Sequence, residues 1–178
     1  MKRLMSVLLI SILAVLAVSS AFADQQLKTS YYTMMLPDDW DIEAVNEKDG
    51  EAEILAYFAE PDDIGIVVEA GIIYYEDWKD FSLWNADKSE VQEYVDTIME
   101  DFQDDEPEFL DIVNAGSIPF VLIRAKDSDG DYLYADTMSN GYAVIFMVYV
   151  TDGDIVYPIT DKHIEQIKNI LATFQPAA

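Results

Sequence analysis

An unbroken apolar run near the end of the chain constrains the fold most. Residues 142–150 read YAVIFMVYV and show no alternation of polar and apolar side chains. A strand with both faces buried has this pattern, because neither row of side chains meets water. The pairs Asn140-Gly141 and Asp152-Gly153 bound the run, and such pairs favour tight turns. The run therefore predicts a central strand in a sheet that is covered on both faces.

Turn residues divide the rest of the chain into further short β-rich runs. Asp49-Gly50 and Asp129-Gly130 are turn pairs of the same kind, and Pro37 and Pro61 each open an acidic turn. Between these turns, β-branched and aromatic residues predict strands. The predicted strands span residues 30–36, 40–46, 51–59, 64–75, 107–114, 119–126 and 131–138, ahead of the central strand.

Two segments carry the periodicity of amphipathic helices. Asp87 and Glu90 have capping-box spacing, and an apolar stripe from Val91 to Phe102 follows them. Thr160 is the predicted N-cap of a second helix, whose stripe ends at Phe174. One helix on each face would bury both stripes and both faces of the sheet. We therefore predict an α+β fold, a three-layer α/β/α sandwich around a mainly antiparallel sheet.

The first 23 residues have the order of a secretory signal peptide. Lys2 and Arg3 precede an apolar run over 4–18, and Ala21 and Ala23 supply the small residues of a cleavage site before Asp24. We expect cleavage after Ala23, which leaves one domain over 24–178 and places it outside the cytoplasm. The alternative is an uncleaved anchor, since residues 4–23 carry no charge. Lipid attachment would need a cysteine, and the chain has none.

The charge of the chain limits its partners. It has 35 acidic and 10 basic residues, for a formal net charge of −25. Nucleic acid binding needs clustered Lys and Arg, so the composition excludes it and disfavours an anionic membrane surface. A cationic partner, divalent cations and simple solubility remain. The lack of cysteine also excludes thiol nucleophiles and Cys-ligated metal sites.

Two segments carry a resemblance to a known family. Residues 36–40 read LPDDW, and residues 159–174 read ITDKHIEQIKNILATF. With the order strands, helix, strands, helix, they resemble the PsbP-like sandwich superfamily. That superfamily includes an extrinsic photosystem II protein, a Ran-binding nuclear transport factor and small exported bacterial proteins. The resemblance implies a mostly non-enzymatic role, and it carries no functional residue to this chain.

The most unusual local feature is an aromatic segment that joins a strand to the first helix. Tyr75, Trp78, Phe81 and Trp84 lie close together there, interleaved with acids. Large aromatic side chains on a connection are typical contact anchors, so we predict these four as a partner-binding surface. The alternative is a lid that packs over the sheet.

Two other features give weaker signals. Asp127, Asp129 and Asp131 match the start of a calcium loop, but Tyr132 and Met138 stand where an EF-hand needs Gly and Glu. A hairpin turn explains them better, with weak calcium binding as the alternative. The only histidine, His163, falls in the first turn of the second helix, where a solvated residue is expected.

The sequence thus favours an exported, strongly acidic, non-catalytic binding or accessory domain with no cofactor. Its partner would be a protein or a small molecule, and the charge favours a cationic one. No nucleic acid and no stable membrane association after leader removal are expected. The alternatives are a carboxylate-based extracellular hydrolase and a calcium-dependent structural module.

Overall fold

The computed structural model describes residues 24–177, so the predicted leader lies outside the described residues. Seven long strands form one antiparallel sheet: β3 (Asp41–Asp49), β4 (Ala52–Ala59), β5 (Gly65–Tyr74), β6 (Glu108–Ala115), β7 (Ile118–Lys126), β8 (Asp131–Ser139) and β9 (Tyr142–Asp152). They lie in the order β3-β4-β5-β9-β8-β7-β6, and the short β10 (Ile155–Val156) pairs with β9. The central strand β9 contains the apolar run over 142–150.

A second, smaller sheet lies against the first. It is made of β1 (Asp24–Lys28), β2 (Tyr32–Pro37) and β11 (Gln175–Pro176), with β2 in the middle. The two helices are α1 (Lys88–Asp101) and α2 (Asp161–Leu171). Among the described residues, no helix is long and apolar enough to cross a membrane.

Alternating side chains give the large sheet two buried faces. On the first face, Phe146 of β9 contacts Tyr32 of β2 with ring centroids 5.8 Å apart, and α2 adds Ile167 and Leu171 to the same core. On the second face, Val95 and Ile98 of α1 join the core that Ile145 of β9 helps to form. Each helix thus buries its apolar stripe against a different face.

The predicted three-layer α/β/α sandwich is nevertheless wrong. Strands make up most of the structure, and the small sheet shares the layer over the first face with α2. The physical reason is area. An 11-residue helix is about 16 Å long, whereas seven strands span about 29 Å across the sheet. A single helix cannot cover such a face, and β2 covers the rest.

Local sequence explains where both helices begin. Asp87 accepts hydrogen bonds from the backbone N–H groups of Ser89 and Glu90, and Glu90 accepts one from the backbone N–H of Asp87. This reciprocal pairing satisfies amide groups that the first turn leaves free. At α2, His163 Nδ1 accepts from the backbone N–H of Thr160 at 3.2 Å. His163 therefore caps the helix, which is a structural role.

Candidate binding cavity

A cavity of about 420 Å³ lies between α1 and the second face of the large sheet. It forms where α1 leaves β4 and β5 uncovered and Gly71 of β5 has no side chain to fill the space. Its lining residues come from β4, β5, β8, β9, α1 and the aromatic segment: Ala52, Ile54, Glu69, Gly71, Ile73, Tyr75, Trp78, Tyr94, Thr97, Ile98, Asp101, Phe102, Tyr134, Asp136, Met138, Ile145 and Met147. Its volume is in the range of small-molecule sites.

Asp136 is a buried acid in the wall of this cavity. It sits in the middle of β8, where its neighbours across the sheet are Val121 and Ile145, and only 1% of the residue is exposed. Its Oδ2 accepts hydrogen bonds from the hydroxyls of Tyr94 at 2.6 Å and Tyr134 at 3.2 Å. Its Oδ1 has no partner within the described residues. One oxygen of this buried carboxyl group is therefore left unsatisfied.

Burial controls the protonation of this group. It raises the pKa of Asp136 from 3.8 to about 7, although the two tyrosine hydroxyls pull the pKa down. Burial and then the charge of Asp136 raise the pKa of Tyr94 and Tyr134, so both hydroxyls keep their protons and act as donors. A carboxyl group of this kind can change charge near neutral pH.

The structure divides the four predicted contact aromatics into two pairs. Tyr75 and Trp78 line the cavity, and Tyr75 is 40% exposed. Phe81 instead stacks on Tyr94, and Trp84, which is partly buried against both cores, donates from Nε1 to Thr137 Oγ1 at 2.9 Å. Contact with a partner through these residues stays a prediction, and only Tyr75 and Trp78 lie where a cavity ligand would meet them.

The predicted calcium residues occupy the turn between β7 and β8. Asp127 Oδ1 accepts from the backbone N–H groups of Asp129 at 2.7 Å and Gly130 at 3.0 Å, while Asp131 forms an ion pair with Arg124. Within residues 24–177, no three His, Asp or Glu side chains are grouped so that they could hold a metal ion. The structure gives these acids roles in a hairpin, and calcium binding stays a prediction.

Asp136 was missed by the sequence analysis. The signal was present, because an acid between Tyr134 and Met138 at two-residue spacing falls in the apolar row of a strand.

A second cavity, of about 610 Å³, lies between β2 and α2 and is lined by charged residues such as Asp39, Lys162 and Glu165. It contains neither of the two buried polar atoms that lack a partner in the described structure, Asp136 Oδ1 and Tyr32 Oη.

Comparison with known proteins yields only distant structural similarity. No family model matches the sequence, and no curated protein is significantly similar to it. The solution structure of cyanobacterial PsbP (CyanoP) from Synechocystis aligns with a TM-score of 0.48 and 13% identity over 89% of this chain and 95% of that one. A crystal structure from Bacteroides thetaiotaomicron aligns with a TM-score of 0.41 and 13% identity over 83% of this chain and 45% of that one. The first is a PsbP protein, and both TM-scores lie below 0.5.

Proposed function

We propose that this protein is an exported, non-catalytic domain that binds a small ligand in the cavity beneath α1. The observation that carries the proposal is Asp136, a buried acid with one unpartnered oxygen in a cavity of ligand size. A buried polar group without a partner costs about 1–3 kcal/mol, so proteins retain few of them without a use. A ligand that donates a hydrogen bond to Oδ1 would remove this cost.

The lining of the cavity supports binding over catalysis. Apart from Thr97 and the tyrosines, the described residues that line it include no hydroxyl, imidazole or amine that could serve as nucleophile or base. The lining also holds three carboxyl groups, those of Glu69, Asp101 and Asp136, and the two hydrogen bonds that Asp136 accepts come from tyrosine hydroxyls. The carboxylate-based hydrolase therefore stays the alternative to a binding domain.

A blocked cavity tests the proposal. Ile54→Trp adds a large side chain to the cavity wall, whereas Ile64→Trp makes the same change at a site that is 50% exposed outside the cavity. A set of neutral, cationic and anionic fragments is added to the isotope-labelled protein, and amide NMR shifts are followed. We expect some fragments to change amide shifts that cluster around Asp136 and Tyr94. The same shift changes should be seen in the Ile64→Trp variant and should be absent in the Ile54→Trp variant. If no fragment perturbs the cavity, the proposed function is wrong.

Export is tested separately. We expect the full-length precursor to yield a product outside the cytoplasm, and the intact mass of this product should match a chain that begins at Asp24. A product that keeps Met1 would contradict the leader hypothesis without affecting the cavity.

A further inference from the structure

We propose that the ligand of this cavity is a small organic cation, whose protonated nitrogen pairs with the Asp136 carboxylate while its apolar body lies against the aromatic wall. This inference rests on the proposed function, because it assigns a chemical class to the ligand of the same site.

The charge of the lining is the first reason. Glu69 of β5, Asp101 of α1 and Asp136 of β8 contribute three carboxyl groups, and no Lys, Arg or His is among the described lining residues. Low-dielectric walls concentrate the field of such charges within a cleft. An anionic ligand would meet this field without a counter-charge, so the lining disfavours it.

Aromatic rings supply the second reason. Five of the lining residues are aromatic, and they surround the cavity from α1 and the residue that follows it, from β8 and from the aromatic segment: Tyr75, Trp78, Tyr94, Phe102 and Tyr134. The faces of aromatic rings carry partial negative charge and attract ammonium groups. The same rings, with Ile54 and Ile145, give an apolar surface to the rest of the ligand.

The geometry at Asp136 is the third reason. The hydroxyls of Tyr94 and Tyr134 both donate to Oδ2, which fixes the carboxylate, whereas Oδ1 is buried without a donor. A neutral donor would satisfy Oδ1 but would leave the buried charge unpaired. An ammonium group supplies both the donor and the counter-charge, and hydrogen bonds between charged groups are the stronger kind.

The titratable groups near Asp136 determine the pH dependence. They are Tyr94 and Asp101 from α1, Tyr134 from β8, Tyr75 from the aromatic segment and Glu69 from β5. Burial holds the pKa of Asp136 near 7, and the tyrosines stay protonated because their pKa values are raised. Cation binding should therefore be stronger at pH 8, where Asp136 is charged, than at pH 5.5.

Three probes of similar shape test the inference: 2-phenylethylammonium chloride, 2-phenylethanol and sodium phenylacetate. Binding is measured by calorimetry at pH 8 in about 0.15 M salt, which screens the acidic surface, and amide NMR shifts locate each probe. At pH 8 we expect the ammonium ion to bind in the cavity at least tenfold more tightly than the alcohol. At pH 5.5 the ammonium ion should bind at least fivefold more weakly than it does at pH 8. Phenylacetate should not bind.

Two variants of equal charge provide the control. Asp136→Asn should reduce the preference for the ammonium ion over the alcohol to less than threefold, and Asp63→Asn, in an exposed turn, should leave it unchanged. If ammonium and alcohol bind the cavity equally, or if the preference survives Asp136→Asn, the ligand class is wrong and the proposed function stands. If none of the probes reaches the cavity, the cation inference is also wrong, and the fragment experiment decides the proposed function.

Discussion

The hydroxyl of Tyr94 donates a hydrogen bond of 2.6 Å to Oδ2 of Asp136, which joins the middle of α1 to β8 inside the large sheet. Both residues are buried, with 2% and 1% of their surfaces exposed. The contact positions the helix over the sheet and holds the carboxyl group in place at the cavity. The stability of the second face and the chemistry of the site therefore depend on the same bond.

Tyr94→Phe removes this donor and nothing else from the ring. Because the Tyr94 hydrogen bond lowers the pKa of Asp136, its loss should raise that pKa further. We expect the free energy of unfolding to fall by about 2–3 kcal/mol at pH 8, where the carboxylate is charged, and by about 1 kcal/mol at pH 5. Urea unfolding at both pH values measures the difference. Tyr132→Phe, which loses a 2.6 Å bond to the half-buried Asp105 outside the cavity, is the control and should show a similar loss at both pH values.

Asp136→Asn should change how stability depends on pH. The pKa of Asp136 is raised on folding, so the folded protein holds the proton more tightly than the unfolded chain. The contribution of Asp136 is therefore most favourable below about pH 4 and is lost as the pH rises to about 8. From 3.8 to about 7, this amounts to about 4 kcal/mol.

The unfolding free energy of the native sequence minus that of Asp136→Asn should thus fall steadily between pH 4 and pH 8. Taking the difference removes most of the effect of the other carboxylates, and Asp63→Asn, which also removes one acid, gives the baseline for comparison. A flat curve for Asp136→Asn would mean that the carboxyl group is not buried in a low-dielectric site.

Two tryptophans of the aromatic segment should respond differently to truncation. Trp84 is partly buried, packs against the cores on both faces of the sheet and donates to the fully buried Thr137, so Trp84→Ala should cost about 3–5 kcal/mol in thermal or urea unfolding. Trp78 is half-buried at the cavity, where it contacts Phe81 and Tyr94 with centroids 5.1 Å and 5.8 Å away. Trp78→Ala should cost about 2 kcal/mol and weaken cavity ligands. Equal losses in both variants would favour a packed lid over a binding wall.

Gly141 holds the aromatic segment against the turn between β8 and β9. Its φ is +81°, and its carbonyl accepts from the backbone N–H of Tyr75 at 2.8 Å. A Cβ at this position would lie 2.7 Å from the Tyr75 carbonyl oxygen. Gly141→Ala should therefore destabilise the protein by about 1–3 kcal/mol more than Gly153→Ala. Gly153 also has positive φ but nothing within 4 Å, so the difference measures the close approach alone.

Much of the secondary structure follows from short-range patterns. The run over 142–150 is the central strand, and the Asp87 capping box begins α1, because turn chemistry and periodicity determine such features locally. The strand β1 reads DQQLK and has no apolar alternation, so nothing local marks it. It forms because β2 offers it a hydrogen-bonding edge. The predicted three-layer arrangement was wrong because it did not include this small sheet.

The candidate site depends on long-range contacts, which explains why sequence patterns located only part of it. The density of aromatics identified Tyr75 and Trp78, but the pairing of Tyr94 with Asp136 joins residues 42 positions apart. Nor does the sequence show that α1 leaves β4 and β5 uncovered. The gap arises because α1 is too short to cover the full width of the sheet, and this gap creates the cavity.

The most direct test of the account is the titration of the Asp136 side-chain carboxyl carbon by NMR. The buried, cavity-lining site predicts a pKa of about 7, and added 2-phenylethylammonium should lower it because an ion pair favours the charged form. A pKa near the ordinary 3.8 in the free protein would contradict the account, because the carboxyl group would then be solvated rather than held in the wall of the cavity.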